Sequence, residues 1–289
     1  MKCFAETKGK KKQMLPQSSS ICFSATISNK KENEDAHIHF KSNGIIVFAV
    51  ADGLGTYSAA AEASRQVIEY IKEKEDMITA ERTFLTQFFH EINKHLYTIA
   101  KNAKYKDYDH EKLLGTTLIL GIETEHEVTF AYIGNGAIIH VRGTIGDFDD
   151  KVLQWYASNL LNPHSIPLKG SEVLYKLLSN DDEIDVKPTI VRIEKDTKEG
   201  DAFIICTDGI ASQDHYELFK HVTVGKLYAY NDKLLELFAL LKDFQYSDKA
   251  NASLHLNNKI TLFLERNKDK FEDDATLAIL VTDNFIKSK

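Results

Sequence analysis

The most informative stretch of the chain is IIVFAVADGLG, which runs from Ile45 to Gly55. Its apolar residues, many of them β-branched, predict a strand that is buried on both faces. The run ends in Asp52, and a carboxylate at such a position needs a partner because its unpaired burial has a large desolvation cost. We expect a metal ion, since Gly53 lets the backbone come close to whatever the carboxylate holds. The alternative is a strand that ends in an ordinary Asp-Gly turn.

A second stretch repeats this pattern far along the chain. AFIICTDGI, from Ala202 to Ile210, is again an apolar run that ends in an aspartate and a glycine, Asp208 and Gly209. A single short motif has a high false-positive rate, but two copies that are distant in sequence are harder to attribute to chance. Asp208 is therefore a second candidate metal ligand.

Two further acidic groups stand at the ends of predicted strands. Glu34-Asp35 precede a short strand, and Asn43-Gly44 predict a hairpin turn that leads into the strand ending in Asp52. Asp273-Asp274 precede a final apolar strand, so that an antiparallel neighbour would bring them level with the other acids. Carboxylates that converge in this way repel one another unless a cation lies between them. For Glu34-Asp35 the alternative is a solvated turn with surface acids.

The proposed ligands are carboxylates alone, and this chemistry selects hard divalent cations, Mn²⁺ or Mg²⁺, over zinc or copper. There are more carboxylates than one ion needs, which predicts two ions about 3.5–4 Å apart. Such a pair ionises a bridging water and stabilises charge on a transferred phosphoryl group. We expect Asp52 to bridge the ions and the Gly53 carbonyl to be an extra ligand.

The remaining pattern predicts strands and helices around these acids. Strands are expected to begin at Ile21 and to cover 113–121, 127–133, 137–142, 189–193 and 202–207, and the closely spaced strands 113–142 predict an antiparallel sheet. Helices are expected at 56–74, 80–104, 214–220, 226–242 and 253–266. Residues 144–187 predict irregular segments with short helices that could cover a site.

Composition limits the classes of function. The 289 residues carry a formal net charge of -7 at pH 7, which disfavours general nucleic-acid binding because that requires a basic face. The three cysteines show no C-x-x-C spacing, which suits a reducing compartment and gives no thiolate metal site. No apolar run reaches the length of a membrane span. We expect a soluble, cytoplasmic monomer that does not associate with membranes, with a basic mobile tail at 1–20.

The order of the acidic motifs resembles that of the metal-dependent serine/threonine protein phosphatases, the PPM or type 2C family. The matching blocks are, in chain order, NED, VADGLG, LLGTT, YIGNG, CTDGI and DDAT, between Ile21 and about Asp283. The resemblance implies an α+β fold, a four-layer αββα sandwich in which helices flank two antiparallel sheets. It implies a phosphatase domain at 21–284, between the tail at 1–20 and a short C-terminal tail at 285–289.

The resemblance also implies hydrolysis of phosphoserine or phosphothreonine by metal-activated water, without a phosphoenzyme intermediate. The expected partner is a phosphorylated protein, either a serine/threonine kinase or one of its targets. Carried over by position, Asp52 would bridge both metals and the Gly53 carbonyl would bind one of them. Asp208 and Asp273 would complete the shell of the second metal, with Glu34 and Asp35 also in the site.

Three positions depart from the family pattern. Lys30 stands where the family has the arginine that binds the substrate phosphate, and lysine lacks the bidentate fork of arginine. Leu54 replaces a histidine that some members carry as a candidate general acid. Asn135 replaces the aspartate tied to a third metal, which argues against a third ion. Lys30 and Asn135 support an alternative in which the chain is a weak or inactive pseudophosphatase that acts as a regulatory binding module.

Overall fold

The computed structural model describes residues 19–102, 105, 112–143, 157–168, 171–211, 217–221, 225–229, 232–245 and 251–286. Most of the predicted basic tail, and residues 144–156 of the segment predicted to be irregular, lie outside these ranges. Within them the principal helices are α1 (Ala60–Glu73), α2 (Arg82–Ala100), α3 (Asp232–Gln245) and α4 (Ala252–Asn267).

The strands in the described ranges alternate with short loops and turns. They are β1 (Ile21–Ile27), β2 (Asp35–Ser42), β3 (Ile45–Asp52), β4 (Gly115–Thr116), β5 (Leu118–Glu123), β6 (Glu127–Ile133), β7 (Ala137–Arg142), β8 (Ala157–Asn159), β9 (Ser165–Leu168), β10 (Ser171–Leu174), β11 (Leu178–Ser179), β12 (Thr189–Glu194), β13 (Asp201–Cys206), β14 (Glu217–His221), β15 (Gly225–Ala229) and β16 (Ala275–Val281).

Two five-stranded antiparallel sheets form the centre of the molecule. One has the strand order β1-β16-β13-β7-β8 and the other β12-β6-β5-β3-β2. Aromatic side chains such as Phe48, Phe130 and Phe203 pack between the sheets. Helices α1 and α2 cover the outer face of the second sheet, and α3 and α4 cover that of the first. The predicted αββα sandwich is thereby confirmed.

The hairpin of β2 and β3 was predicted from Asn43-Gly44 and is present. Both turn residues have positive φ, 50° and 83°, as a two-residue hairpin turn that matches the strand twist requires. The resulting register places Asp35 directly opposite Asp52. In the first sheet, β13 pairs with β16 so that Cys206 lies opposite Leu277, which brings the end of one strand to the start of the other.

Several predicted helices need correction. Where a helix was predicted at 214–220, described residues 217–221 form β14, which pairs with β15 at the predicted start of the next helix. The helix predicted at 56–74 begins only at Ala60, because the backbone N–H groups of Ser58 and Ala59 donate to Lys112 and Leu113 instead.

The segment predicted to be irregular contains strands in its described part. Residues 165–168 and 171–174 form the antiparallel pair β9–β10, in place of the short helices that were predicted. At the C-terminus, Phe285 and Ile286 are buried, so the packed fold extends beyond the predicted boundary at 284. The described helices include none that combines the length and apolarity needed to cross a bilayer.

Candidate active site

Asp35 and Asp52 form the first half of the site, on neighbouring strands of the second sheet. Asp35 is buried at the start of β2, where its Oδ2 accepts a 2.8 Å hydrogen bond from the Thr207 hydroxyl. Its Oδ1 is buried and has no hydrogen-bond partner among the described residues. The backbone of Asp52 is fixed by Thr117, whose N–H donates to the Asp52 carbonyl at 2.8 Å. Threonines therefore fix the carboxylate of Asp35 and the backbone of Asp52.

Asp208 comes from the first sheet, two residues beyond the end of β13. Its Oδ2 accepts a 2.9 Å hydrogen bond from the side-chain amide of Asn135, in the turn between β6 and β7. Gly209, which follows, packs against the backbone of the other acidic strand end, because a Cβ there would lie 2.0 Å from the carbonyl oxygen of Asp274. The second Asp-Gly element therefore does bring its aspartate to the junction of the two sheets.

The two acids of the DDAT block have different environments. The Asp274 side chain is 1 % exposed, and its oxygens accept hydrogen bonds from the Ser28 hydroxyl and, at 2.7 Å, from the Glu34 backbone N–H. The Asp273 side chain is 53 % exposed. Asp274 thus anchors the loop that carries Glu34, whereas Asp273 is open to a ligand from solvent.

Lys30 reaches into this acidic group. Its Nζ lies 2.6 Å from Glu34 Oε2, 2.5 Å from Asp273 Oδ1 and 3.7 Å from Asp274 Oδ2. Although burial alone would lower the pKa of Lys30, the bonds to Asp273 and Glu34 raise it above its usual range. Single oxygens of these three acids all lie within 4.8 Å of one another, a spacing that also suits a metal ion.

Gly53 is required where it stands. Its N–H donates to the Glu34 carbonyl at 2.9 Å, and a Cβ at this position would lie 2.3 Å from the carbonyl oxygen of Ala60. The glycine therefore lets the strand end pass closely against both the Glu34 loop and the start of α1.

Burial and the nearby carboxylates raise the pKa values of two acids in the site. Burial, followed by the charges of Asp35, Asp208 and Asp273, raises the pKa of Asp52 well above its usual range. Burial also raises the pKa of Asp35 to about 7, with the charges of Asp274 and Asp208 adding to the shift. Each group would be more stable as an ion if a cation lay beside it.

The donor set fits a hard divalent cation. The ligands on offer are carboxylate oxygens, as Mn²⁺ and Mg²⁺ prefer, and the buried Oδ1 of Asp35 is an acceptor in need of a positive partner. Asp52, Gly53, Asp208 and Asp273 line one cavity of about 460 Å³. Glu34 lies near these residues because Lys30 pairs with both Glu34 and Asp273. Asp35 lies near them because it is opposite Asp52 in the β2–β3 pair.

The same cavity has a wall that the sequence did not reveal. Lys112 and three apolar side chains, Val173, Leu174 and Leu177, also line it. The last three lie on or just after the β9–β10 hairpin. An isolated lysine and short apolar strands carry no signal of spacing, so only the folded chain shows that they face the acids.

A family model described as protein phosphatase 2C matches residues 24–257. The chain belongs to the protein phosphatase 2C family. This family match identifies the chain as a metal-dependent phosphoprotein phosphatase, as the order of its motifs predicted. No sequence among curated proteins matches the chain.

Solved structures of bacterial phosphatases share its fold. A bacterial serine phosphatase has 18 % identity and a TM-score of 0.61, with 94 % of this chain and 99 % of that chain covered. The serine/threonine phosphatase Stp1 from Staphylococcus aureus has 18 % identity and a TM-score of 0.61, with 96 % and 99 % covered. The catalytic domain of the serine/threonine protein phosphatase PstP, in complex with two manganese ions, has 17 % identity and a TM-score of 0.55, with 91 % and 100 % covered.

Proposed function

We propose that the chain hydrolyses phosphoserine and phosphothreonine in phosphoproteins, with two Mn²⁺ or Mg²⁺ ions held at the Asp52 cavity. The observation that carries the proposal is the meeting of the two Asp-Gly elements, with Asp52 and Asp208, beside a buried oxygen of Asp35 that has no hydrogen-bond partner in the described part of the chain. The structure of PstP with two manganese ions supports the number of ions. A third ion is not proposed, because Asn135 offers a neutral amide that already donates to Asp208.

Each residue has a role under this proposal. Asp52 would be shared by the ions, the Gly53 carbonyl would bind one of them, and Asp208 and Asp273 would hold the other, with Glu34 and Asp35 close by. When bound, the ions supply an ionised water and charge stabilisation for the phosphoryl group. Hydrolysis forms a bond from the water oxygen to phosphorus and breaks the bond to the serine or threonine oxygen. That oxygen receives its proton from water, since Leu54 cannot donate one.

Lys30 is the proposed phosphate-binding residue. Its ammonium group is a point charge on a flexible stem at the rim of the site, where it can exchange a carboxylate for a phosphate oxygen. The substrate is a phosphoprotein, and a serine/threonine kinase or one of its targets is the proposed partner. The cytoplasmic location, the monomeric state and a domain that begins at residue 21 stay predictions from the sequence.

The test is turnover of a phosphothreonine peptide and of p-nitrophenyl phosphate, with Mn²⁺ and with EDTA. We expect Mn²⁺-dependent turnover that Asp52→Asn and Asp208→Asn each reduce by at least about 100-fold, since both remove a proposed ligand. Asp243→Asn is the control, because the Asp243 side chain is 69 % exposed and forms an ion pair with Lys259. Activity kept within a few-fold in both site variants would place the reaction elsewhere.

One observation favours the pseudophosphatase alternative. Lys30 holds Asp273 and Glu34 in short ion pairs, so a cation already occupies oxygens that a metal would use. A protein that is folded by circular dichroism but shows no Mn²⁺-dependent turnover would support that alternative.

A further inference from the structure

The turn Gly134-Asn135-Gly136 contacts both sheets of the site. Asn135 Nδ2 donates to Asp208 at 2.9 Å. Gly134, with φ at 104°, packs so closely on Thr117 that a Cβ would lie 2.5 Å from the threonine methyl group. Thr117 in turn holds the backbone of Asp52, through its N–H at 2.8 Å and its hydroxyl at 3.2 Å. The position of this one turn therefore affects both aspartates.

His164 holds the turn by two hydrogen bonds to Gly134. The His164 N–H donates to the Gly134 carbonyl at 2.9 Å, and the Gly134 N–H donates to His164 Nδ1 at 3.2 Å. Because a backbone N–H can only donate, Nδ1 must be the unprotonated nitrogen. The ring proton is then on Nε2, which donates to the Thr189 hydroxyl at 2.8 Å. The two bonds fix the tautomer of the ring.

Packing keeps the imidazole in this orientation. His164 is 6 % exposed and stacks on Tyr132, with ring centroids 5.2 Å apart. Its carbonyl accepts the N–H of Tyr175, which closes the base of the β9–β10 hairpin. Because the site is buried, loss of the ring would leave the Gly134 N–H without its acceptor.

We propose that His164 is a positioning residue for the metal centre. It fixes Gly134 and thereby holds Asn135 against Asp208 and Thr117 against Asp52. The inference rests on the proposed function, because it assigns Asp208 and Asp52 as the ligands that are positioned. Partners of this kind, one step removed from the metal, affect both metal affinity and activity in proteins generally.

Two substitutions of similar shape test the hydrogen bonds of Nδ1 and Nε2 separately. In His164→Asn the side-chain oxygen can take the place of Nδ1 and accept from Gly134. In His164→Gln the amide reaches instead toward the place of Nε2 and Thr189. Both variants lose the ring and its stacking on Tyr132, so a comparison between them isolates the hydrogen bond to Gly134.

Titration calorimetry measures the Mn²⁺ dissociation constant, and steady-state kinetics on a phosphothreonine peptide measure kcat and KM. Protein concentrations are corrected for the folded fraction. We expect His164→Gln to weaken Mn²⁺ binding and to lower kcat by about 10- to 100-fold, with a smaller change in KM. His164→Asn should recover most of both losses. His140→Gln is the matched control, because His140 also stacks on a phenylalanine (Phe203, at 4.6 Å) and pairs with Asp201, away from the turn.

A purely structural role would make His164→Gln and His140→Gln alike, with lower thermal stability and wild-type constants in the folded fraction. That result would overturn the inference, as would a His164→Asn variant that falls as far as His164→Gln. Wild-type protein that binds Mn²⁺ without turnover would refute only the proposed function, since the Mn²⁺ constants of the variants still test the role of His164. Wild-type protein that binds no Mn²⁺ would overturn both.

Discussion

At the scale of single residues, Lys30 stands where the resemblance to the family implies an arginine. Arginine presents a planar fork that binds two phosphate oxygens at once, whereas lysine presents a compact charge on a flexible stem. In the structure that charge is shared between Glu34 and Asp273. Under the proposed function, Lys30 can bind the substrate phosphate only when its ammonium group leaves at least one of these carboxylates, and a metal on Asp273 would compete with it for the same oxygen.

This competition makes a prediction for two variants. Lys30→Met should raise KM for a phosphothreonine peptide by about tenfold or more, since a hydrogen bond to a charged group contributes roughly 1.5–3 kcal/mol. It should bind Mn²⁺ at least as tightly as wild type, because Asp273 is released. Lys30→Arg should keep or lower KM. Steady-state kinetics measure KM and calorimetry measures Mn²⁺ affinity, with Lys259→Met as control because Lys259 pairs with Asp243. An unchanged KM in Lys30→Met would mean that another residue binds the phosphate.

At the scale of elements, β13 is anchored at the end remote from the site by a buried charge. Asp201 is fully buried, and its Oδ1 accepts from His140 and from Arg142 Nε at 2.7 Å each. Burial opposes ionisation, but these bonds lower the pKa of Asp201 below its usual value. The anchor joins β13 to β7, and β13 is the strand that delivers Asp208.

Asp201→Ala should therefore destabilise the fold by about 1.5–3 kcal/mol, because it removes the charged acceptor of the hydrogen bonds from His140 and Arg142. Urea unfolding monitored by circular dichroism measures the change. Asp243→Ala, at an exposed site, should change the free energy of unfolding by less than about 0.5 kcal/mol. The Mn²⁺ affinity of the folded Asp201→Ala protein should stay near that of wild type, since the anchor and the ligands lie at opposite ends of the strand. Equal stability of the two variants would show that the anchor contributes little.

How much of these elements could be predicted depends on whether their cause is local. The strands that lead to Asp52 and Asp208 were predicted correctly, because an apolar run and the following Asp-Gly are visible in a few residues. The strand at 217–221 was predicted as a helix, because its leucine and charged residues suit both forms and pairing with β15 decides between them. His164 was missed altogether. A lone histidine has no spacing to read, and its role comes from contacts with Gly134 and Thr189, which fold next to it.

At the scale of the whole molecule, the site is the seam between the two sheets. Asp35 and Asp52 belong to the second sheet, and Asp208 and Asp273 lie at strand ends of the first. Folding thus brings like charges from two separate layers together. A divalent cation at the seam should bind the folded chain far better than the unfolded one, and saturation at 100 times its dissociation constant adds about 2.7 kcal/mol to stability.

The same seam gives the folded chain a pH dependence whose sign follows from Asp35. Its pKa is raised from 3.8 to about 7, so between these values the folded state holds a proton that the unfolded state has released. In EDTA, this group's contribution to stability is therefore full below about pH 4, falls as the pH rises to about 7, and is lost above that.

Asp35→Asn cannot ionise, so the difference in Tm between this variant and wild type should grow in favour of the variant across that window. Mn²⁺ should reverse the order near pH 7.5, because only the ionised carboxylate contributes charge to the metal site. Thermal unfolding at pH 4.5, 6 and 7.5, with Asp243→Asn as the surface control, measures the difference. A Tm difference between wild type and Asp35→Asn that does not change with pH would contradict this prediction. It would mean that Asp35 is ionised in the folded and the unfolded protein at all three pH values, so that its pKa is not raised.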